Sequence, residues 1–215
     1  MKAQEEDTAI NDSLQKHHKY GLRLGADLSK PLRTFLEDGY TGFELVADFR
    51  ISKRFYLAAE IGTEEKDYNE SNLVATTSGS YAKLGADFNA YNNWFGMNNA
   101  ITTGLRYGFS TFKQELLGYG IYTTNNVFPG NFIEDPQEFS GLTGHWAELI
   151  IAVKTELINN LYLSINLQLK SLISEDLPEN FDNLYIPGFN RTYDFSEFGV
   201  GYGYTITYLI PIFKK

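Results

Sequence analysis

Residues 161–170 read Leu161-Tyr162-Leu163-Ser164-Ile165-Asn166-Leu167-Gln168-Leu169-Lys170, an unbroken alternation of aliphatic and polar side chains. Successive side chains of an extended strand point to opposite faces. Leu161, Leu163, Ile165, Leu167 and Leu169 therefore share one face, and Tyr162, Ser164, Asn166, Gln168 and Lys170 the other. A helical turn would mix the two sets. A strand of about ten residues, tilted, is long enough to cross the apolar core of a bilayer.

The same period recurs on both sides of this segment, over 20–28, 42–51, 55–62, 81–90, 101–110, 147–157 and 198–208, giving eight predicted strands. The connections alternate in length. Those at 52–54, 92–93 and 158–160 are short, and those at 29–41, 63–80, 112–144 and 173–197 are long. This asymmetry predicts an all-β fold, an eight-stranded antiparallel up-and-down transmembrane β-barrel with three short periplasmic turns and four long extracellular loops. Residues 18–215 are assigned to the barrel and the polar, acidic stretch 1–17 to a flexible periplasmic tail. Met1-Lys2-Ala3-Gln4 lacks the basic and apolar regions of a secretion leader, so the expectation is a mature chain.

Composition excludes several classes. A net charge of −9 argues against a nucleic-acid partner. The absence of cysteine rules out disulfides and thiolate metal sites. There is no apolar run long enough for a spanning helix, which leaves spanning strands open, since only half of such a strand faces lipid.

Alternation alone does not say which face is inside. Three features put the polar face there. The apolar face runs uninterrupted over strands longer than the soluble norm. The polar face is rich in glycine, at Gly21, Gly25, Gly42, Gly62, Gly85, Gly104, Gly108, Gly199, Gly201 and Gly203, as a narrow lumen crowded with long charged side chains requires. Aromatics gather near strand ends, at Tyr20, Phe49, Phe55, Phe88, Tyr91, Trp94, Phe109, Phe112, Tyr208 and Phe213, as in the girdles of membrane barrels.

The polar face then makes a lumen charge network. Arg23, Arg50, Lys83, Arg106, Lys154 and Lys170 oppose Asp27, Glu44, Asp48, Glu60, Asp87, Glu148 and Glu156. Near balance between the signs is what a self-neutralising interior needs. An eight-stranded barrel is just wide enough for side chains to fill, so a plug is expected rather than a pore.

Three stretches together, Tyr20-Gly21-Leu22-Arg23-Leu24-Gly25-Ala26-Asp27-Leu28-Ser29-Lys30-Pro31, Gly104-Leu105-Arg106-Tyr107-Gly108-Phe109-Ser110 and Asn183-Leu184-Tyr185-Ile186-Pro187-Gly188-Phe189-Asn190-Arg191-Thr192-Tyr193, resemble an uncharacterised family of small outer-membrane barrels. The family is similar in architecture to the OmpA, OmpX and OmpW type. The resemblance implies the fold and the membrane; it carries no catalytic residue.

Other candidates are weaker. His17 and His18 fall beside the tail. His145 has Ser140 and Glu148 nearby in sequence but no tight base–nucleophile pair. The long connections are acidic, with Glu64, Glu65, Asp67 and Glu70 in the second, Glu134, Asp135 and Glu138 in the third, and Glu175, Asp176, Glu179 and Asp182 in the fourth. These are expected to be solvated, and no metal-loop spacing is present. Aromatic and apolar groups in the last two loops, including Phe128, Phe132, Phe139, Phe181, Tyr185, Phe189 and Tyr193, fit two alternatives: an ordered cap, or a partner-binding surface formed by Phe181, Tyr185, Phe189 and Tyr193.

The expected function is non-enzymatic, with no cofactor: an outer-membrane barrel of a Gram-negative bacterium, structural or a subunit of an envelope assembly, with its lumen plugged by charge. Its expected partners are outer-membrane lipid and an envelope lipoprotein or larger outer-membrane complex. The alternatives are a narrow channel or small-solute binder, and behind these a lipid-modifying enzyme.

Overall fold

A computed structural model describes residues 19–91, 99–120, 132–192 and 196–214. The tail 1–17, His17 and His18, the turn 92–93, Trp94, Phe128 and Tyr193 lie outside the described residues.

The elements are β1 (Lys19–Asp27), α1 (Ser29–Leu36), β2 (Tyr40–Arg50), β3 (Phe55–Glu70), β4 (Leu73–Asn89), β5 (Ala100–Gly120), β6 (Phe132–Ile133), β7 (Gln137–Ile158), β8 (Leu161–Glu175), β9 (Tyr185–Ile186), β10 (Asn190–Arg191) and β11 (Phe198–Lys214). Eight long strands pair antiparallel in the order β1, β2, β3, β4, β5, β7, β8, β11, and β11 returns to β1. The sheet therefore closes into a ring, with β1 shorter than both of its neighbours.

Burial follows the alternation with the polar face inward. On β8, Ile165, Leu167 and Leu169 are 53, 64 and 55% exposed, whereas Asn166, Gln168 and Lys170 between them are buried. β5 behaves alike, with Ile101, Leu105, Tyr107 and Phe109 exposed and Thr102, Arg106 and Ser110 buried. An interior lined with apolar side chains, as in a soluble ligand-binding barrel, is not what this chain makes.

The short connections at 52–54 and 158–160 stand at one end of the ring. Ile158 pairs with Leu161 across Asn159-Asn160, and Asn160 takes φ 68°, a left-handed conformation that asparagine tolerates. At the other end three expectations need correcting. Residues 63–80 are not an irregular loop: β3 and β4 continue as a paired hairpin to Glu70 and Leu73, because the alternation persists through Thr63 and Ser80. The 112–144 connection is likewise mostly strand, since β5 runs to Gly120 and β7 begins at Gln137. The 29–41 connection holds α1. Asp27 Oδ1 accepts the Ser29 N–H at 2.8 Å at its start, and Pro31 falls in the first turn, where its missing N–H costs no helical bond.

Two of the predicted girdle aromatics also point inward. A register shift between Tyr20 and Gly21 turns the Tyr20 ring into the interior, where Arg50 stacks over it at 5.2 Å. Phe112 continues the inward parity of Arg106, Gly108 and Ser110 and is buried.

Candidate functional site

The interior is organised around one chain of charges that alternates in sign. Glu44 on β2 accepts the Tyr81 hydroxyl at 2.6 Å and pairs with Lys83 on β4 at 3.0 Å. Lys83 reaches Glu60 on β3 at 2.5 Å. Arg106 on β5 joins Glu60 at 3.1 Å to Asp87 at 2.7 Å. Lys154 on β7 stands 3.6 Å from Asp87 and 3.0 Å from Asp48, and Asp48 accepts Arg23 Nε at 2.6 Å. Eight of the thirteen predicted network residues thus form a continuous sequence, acid then base, drawn from six strands. Each link is possible because inward parity and the strand register bring like levels of the ring together.

The remaining five have other roles. Glu148 accepts the Trp146 indole N–H at 3.2 Å and stands 3.9 Å from Lys83. Lys170 donates to the Gly188 carbonyl at 2.6 Å. Asp27 accepts two backbone N–H groups, from Ser29 and Tyr204. Arg50 donates to the carbonyls of Ser52 and Lys53 in a short turn, and Glu156 accepts the Asn160 N–H in another. A small cavity of about 40 Å³ lies beside Asp48, Glu60, Asp87, Arg106 and Lys154, room enough for water.

Toward the long-connection end, the charge gives way to an apolar cluster of Tyr81, Phe112, Leu142, Trp146, Ile186 and Phe189. The loop between β8 and β11 supplies two of these. It doubles back at Pro187-Gly188, as the sequence predicts, with β9 pairing β10. Gly188 takes φ +83° and lies against the rings of Tyr81 and Trp146, a place closed to any side chain. Gly108 makes the matching room on the wall, where the Trp146 indole occupies the space of its missing Cβ.

Of the two alternatives for the loop, this placement agrees with the ordered cap. Tyr185 and Phe189 are buried inside the ring, Phe189 with its ring 6.1 Å from that of Trp146. Phe181 is half-buried and stacks on Phe139 at 6.3 Å. The large apolar groups of the loop form a cap that enters the ring.

Glu64 departs from expectation. Grouped by sequence with solvated loop acids, it is buried and receives Lys30 Nζ at 2.5 Å, the Tyr40 and Tyr185 hydroxyls at 2.8 and 2.7 Å, and the Gly188 N–H at 2.8 Å. It ties α1, β2, β3 and the cap together. The signal was present: Tyr56, Ala58, Glu60, Gly62 and Glu64 hold one parity, and extending the strand two residues would have placed Glu64 inside. Lys30 carried no such signal, because nothing in the sequence fixes where a connecting helix aims its side chains.

His145 sits away from this interior. It shares a 2.8 Å hydrogen bond with the Tyr107 hydroxyl and packs on Phe109, both on the outward face, while Glu148 points inward. Among the described residues, no group of three His, Asp or Glu side chains is placed to hold a metal ion.

The whole sequence, residues 1–215, matches the family profile Domain of unknown function (DUF6048). The chain belongs to the DUF6048 family. No curated protein matches the sequence. In this DUF6048 chain the buried polar chemistry is that of neutralisation: carboxylates held between cations, and a loop tip hydrogen-bonded to the charges beneath it.

Proposed function

We propose that the protein is a non-enzymatic outer-membrane β-barrel of a Gram-negative bacterium, structural or a subunit of an envelope assembly, with a lumen closed by its charge chain and its aromatic cap. The observation that carries this reading is the inversion of burial. Aliphatic side chains on all eight long strands face outward, and ion pairs fill the inside. In water this arrangement would expose far more contiguous apolar surface than soluble monomers carry. In a bilayer it is the stable one, because the long strands pair their backbones around a ring and the apolar belt meets lipid. The charge chain supports closure, since a string of paired side chains crosses the interior and the cavity beside it measures only about 40 Å³.

The test is a pair of substitutions on β8. Ile165→Arg, on the outward face, is expected to destabilise the folded protein in lipid vesicles by about 2–4 kcal/mol. Asn166→Ser, one residue on and inward, is expected to cost much less. Chemical denaturation of both in the same vesicles reads the difference, and the reverse order of sensitivity would overturn the membrane assignment.

A further inference from the structure

The wall of the ring is incomplete beside the end of β1. β1 stops at Asp27, opposite Thr205 of β11, and its last partner on β2 is Leu45. β2 begins at Tyr40 and β11 at Phe198, so both stand beyond the end of β1 with no strand between them. α1 lies across this breach. Side chains take over the ladder groups left there: Thr34 Oγ1 accepts the Gly42 N–H at 3.1 Å, Asp27 Oδ1 accepts the Tyr204 N–H at 3.0 Å, and Asn190 donates to the Val200 carbonyl at 3.3 Å.

Behind α1 a cleft of about 440 Å³ opens. Lys170 lies at its floor, 2% exposed, with Nζ bonded to the Gly188 carbonyl. An ammonium has three donors, so one carbonyl leaves capacity for more. A Cβ built on Gly201 would come 3.2 Å from that ammonium, so the glycine leaves space beside it. Lys30 and Arg33 line the cleft from α1, and Lys66 from β3. The carboxylates of the cleft lie at its mouth, with Asp67 and Glu70 exposed and the Glu37 side chain 38% exposed. Lys30 is paired with the buried Glu64, and Arg33 and Lys66 with Glu37, whereas Lys170, the deepest cation of the cleft, holds a carbonyl. The outer side of the same helix is apolar and uncovered, with Leu32, Phe35 and Leu36 exposed, Phe35 to 85%. These side chains continue the outward apolar face of β2 and β11 on either side.

A deep cationic cleft opening through a breached wall beside bare apolar side chains fits a molecule with an anionic head and a hydrocarbon tail. We propose that this cleft binds an anionic amphiphile, its phosphate-class head group on Lys170, Lys30 and Arg33, and its acyl chain along Leu32, Phe35 and Leu36. The inference rests on the membrane reading, which supplies such molecules to the outer face of α1.

Protein held in a neutral detergent is titrated with dioctanoylphosphatidic acid, dioctanoylphosphatidylcholine and inorganic phosphate, with binding read by native mass spectrometry. The phosphatidic acid is expected to bind saturably at one site, and the other two at least about tenfold more weakly, a difference of about 1.4 kcal/mol. Equal binding of phosphatidylcholine would show that head-group charge is irrelevant and overturn the proposal. Equal binding of inorganic phosphate would make the source a free anion and overturn the amphiphile. Lys170→Gln is expected to weaken the phosphatidic acid most. Should that variant not fold, Lys66→Ala and Phe35→Ser, at less buried positions, each still report a loss of about tenfold. Unchanged binding in both would sink the site. Ile165→Trp, with its fluorescence quenched by brominated lipid in vesicles, reports the apolar belt separately. Absent quenching defeats the membrane reading, and quenching without phosphatidic acid binding defeats the cleft alone.

Discussion

The Tyr185 hydroxyl donates to the Glu64 carboxylate at 2.7 Å, joining the loop between β8 and β11 to β3 inside the ring. Both groups are buried. Tyr185→Phe keeps the ring packing and removes one of the four donors on the carboxylate. The expected cost is about 1–3 kcal/mol, the penalty for leaving a buried acceptor short of a partner. Denaturation in lipid vesicles measures it, and amide exchange at Gly188 should rise in parallel. A neutral result would mean that the cap is held by Trp146 and Ile186 contacts alone.

The charge chain predicts a non-additive series around Lys83. Lys83→Met leaves Glu44 and Glu60 facing each other without their shared cation, and the expected loss is about 3–5 kcal/mol. Glu60 keeps Arg106, so adding Glu44→Gln removes the carboxylate left without its cation and should restore part of that loss. A double variant less stable than the single one would contradict the neutralisation account.

Closure of the interior is open to direct measurement. The sequence from Glu44 to Arg23 crosses the ring as side chains in contact, with a cavity of only about 40 Å³ beside it. Planar-bilayer recording of the wild-type protein is expected to show negligible current. A steady, reproducible unitary conductance would replace the plug with a channel.

Acid should release α1. The Arg33 guanidinium, hydrogen-bonded to Glu37, holds that carboxyl at about 2; Lys66 adds to the effect and partial burial opposes it. A free glutamate titrates at about 4.3. Because the folded value lies below the unfolded one, the stabilisation is complete above the unfolded value and is lost as pH falls through the folded one. Amide protection across Ser29–Leu36 should therefore be higher in wild type than in Glu37→Gln at neutral pH. The gap between the two should close between about pH 4 and pH 2. A gap independent of pH would assign the docking of α1 to packing.

The order of the ring and its inward face were legible because both rest on local rules. A period of two in Leu161 through Lys170 can only be a strand with two unlike faces, and glycine against long charged side chains marks the crowded side. Pairing register then follows from short turns such as Asn159-Asn160. Three features came only with the tertiary structure. Where each strand ends was one, since Glu64 and Phe112 obey the alternation but stand in stretches whose polarity reads as loop. The direction of α1 was another: Lys30 and Arg33 turn inward because β1 is shorter than its neighbours and leaves a breach for them to enter. The fate of Tyr185 and Phe189 was the third. Their sequence says only that a loop carries large apolar groups, and whether these meet solvent, a partner or the ring's own interior depends on the Trp146 indole, which lies in the room left by Gly108 and receives Gly188 and Phe189. Local periodicity fixes which way a side chain faces; long-range closure fixes what it faces.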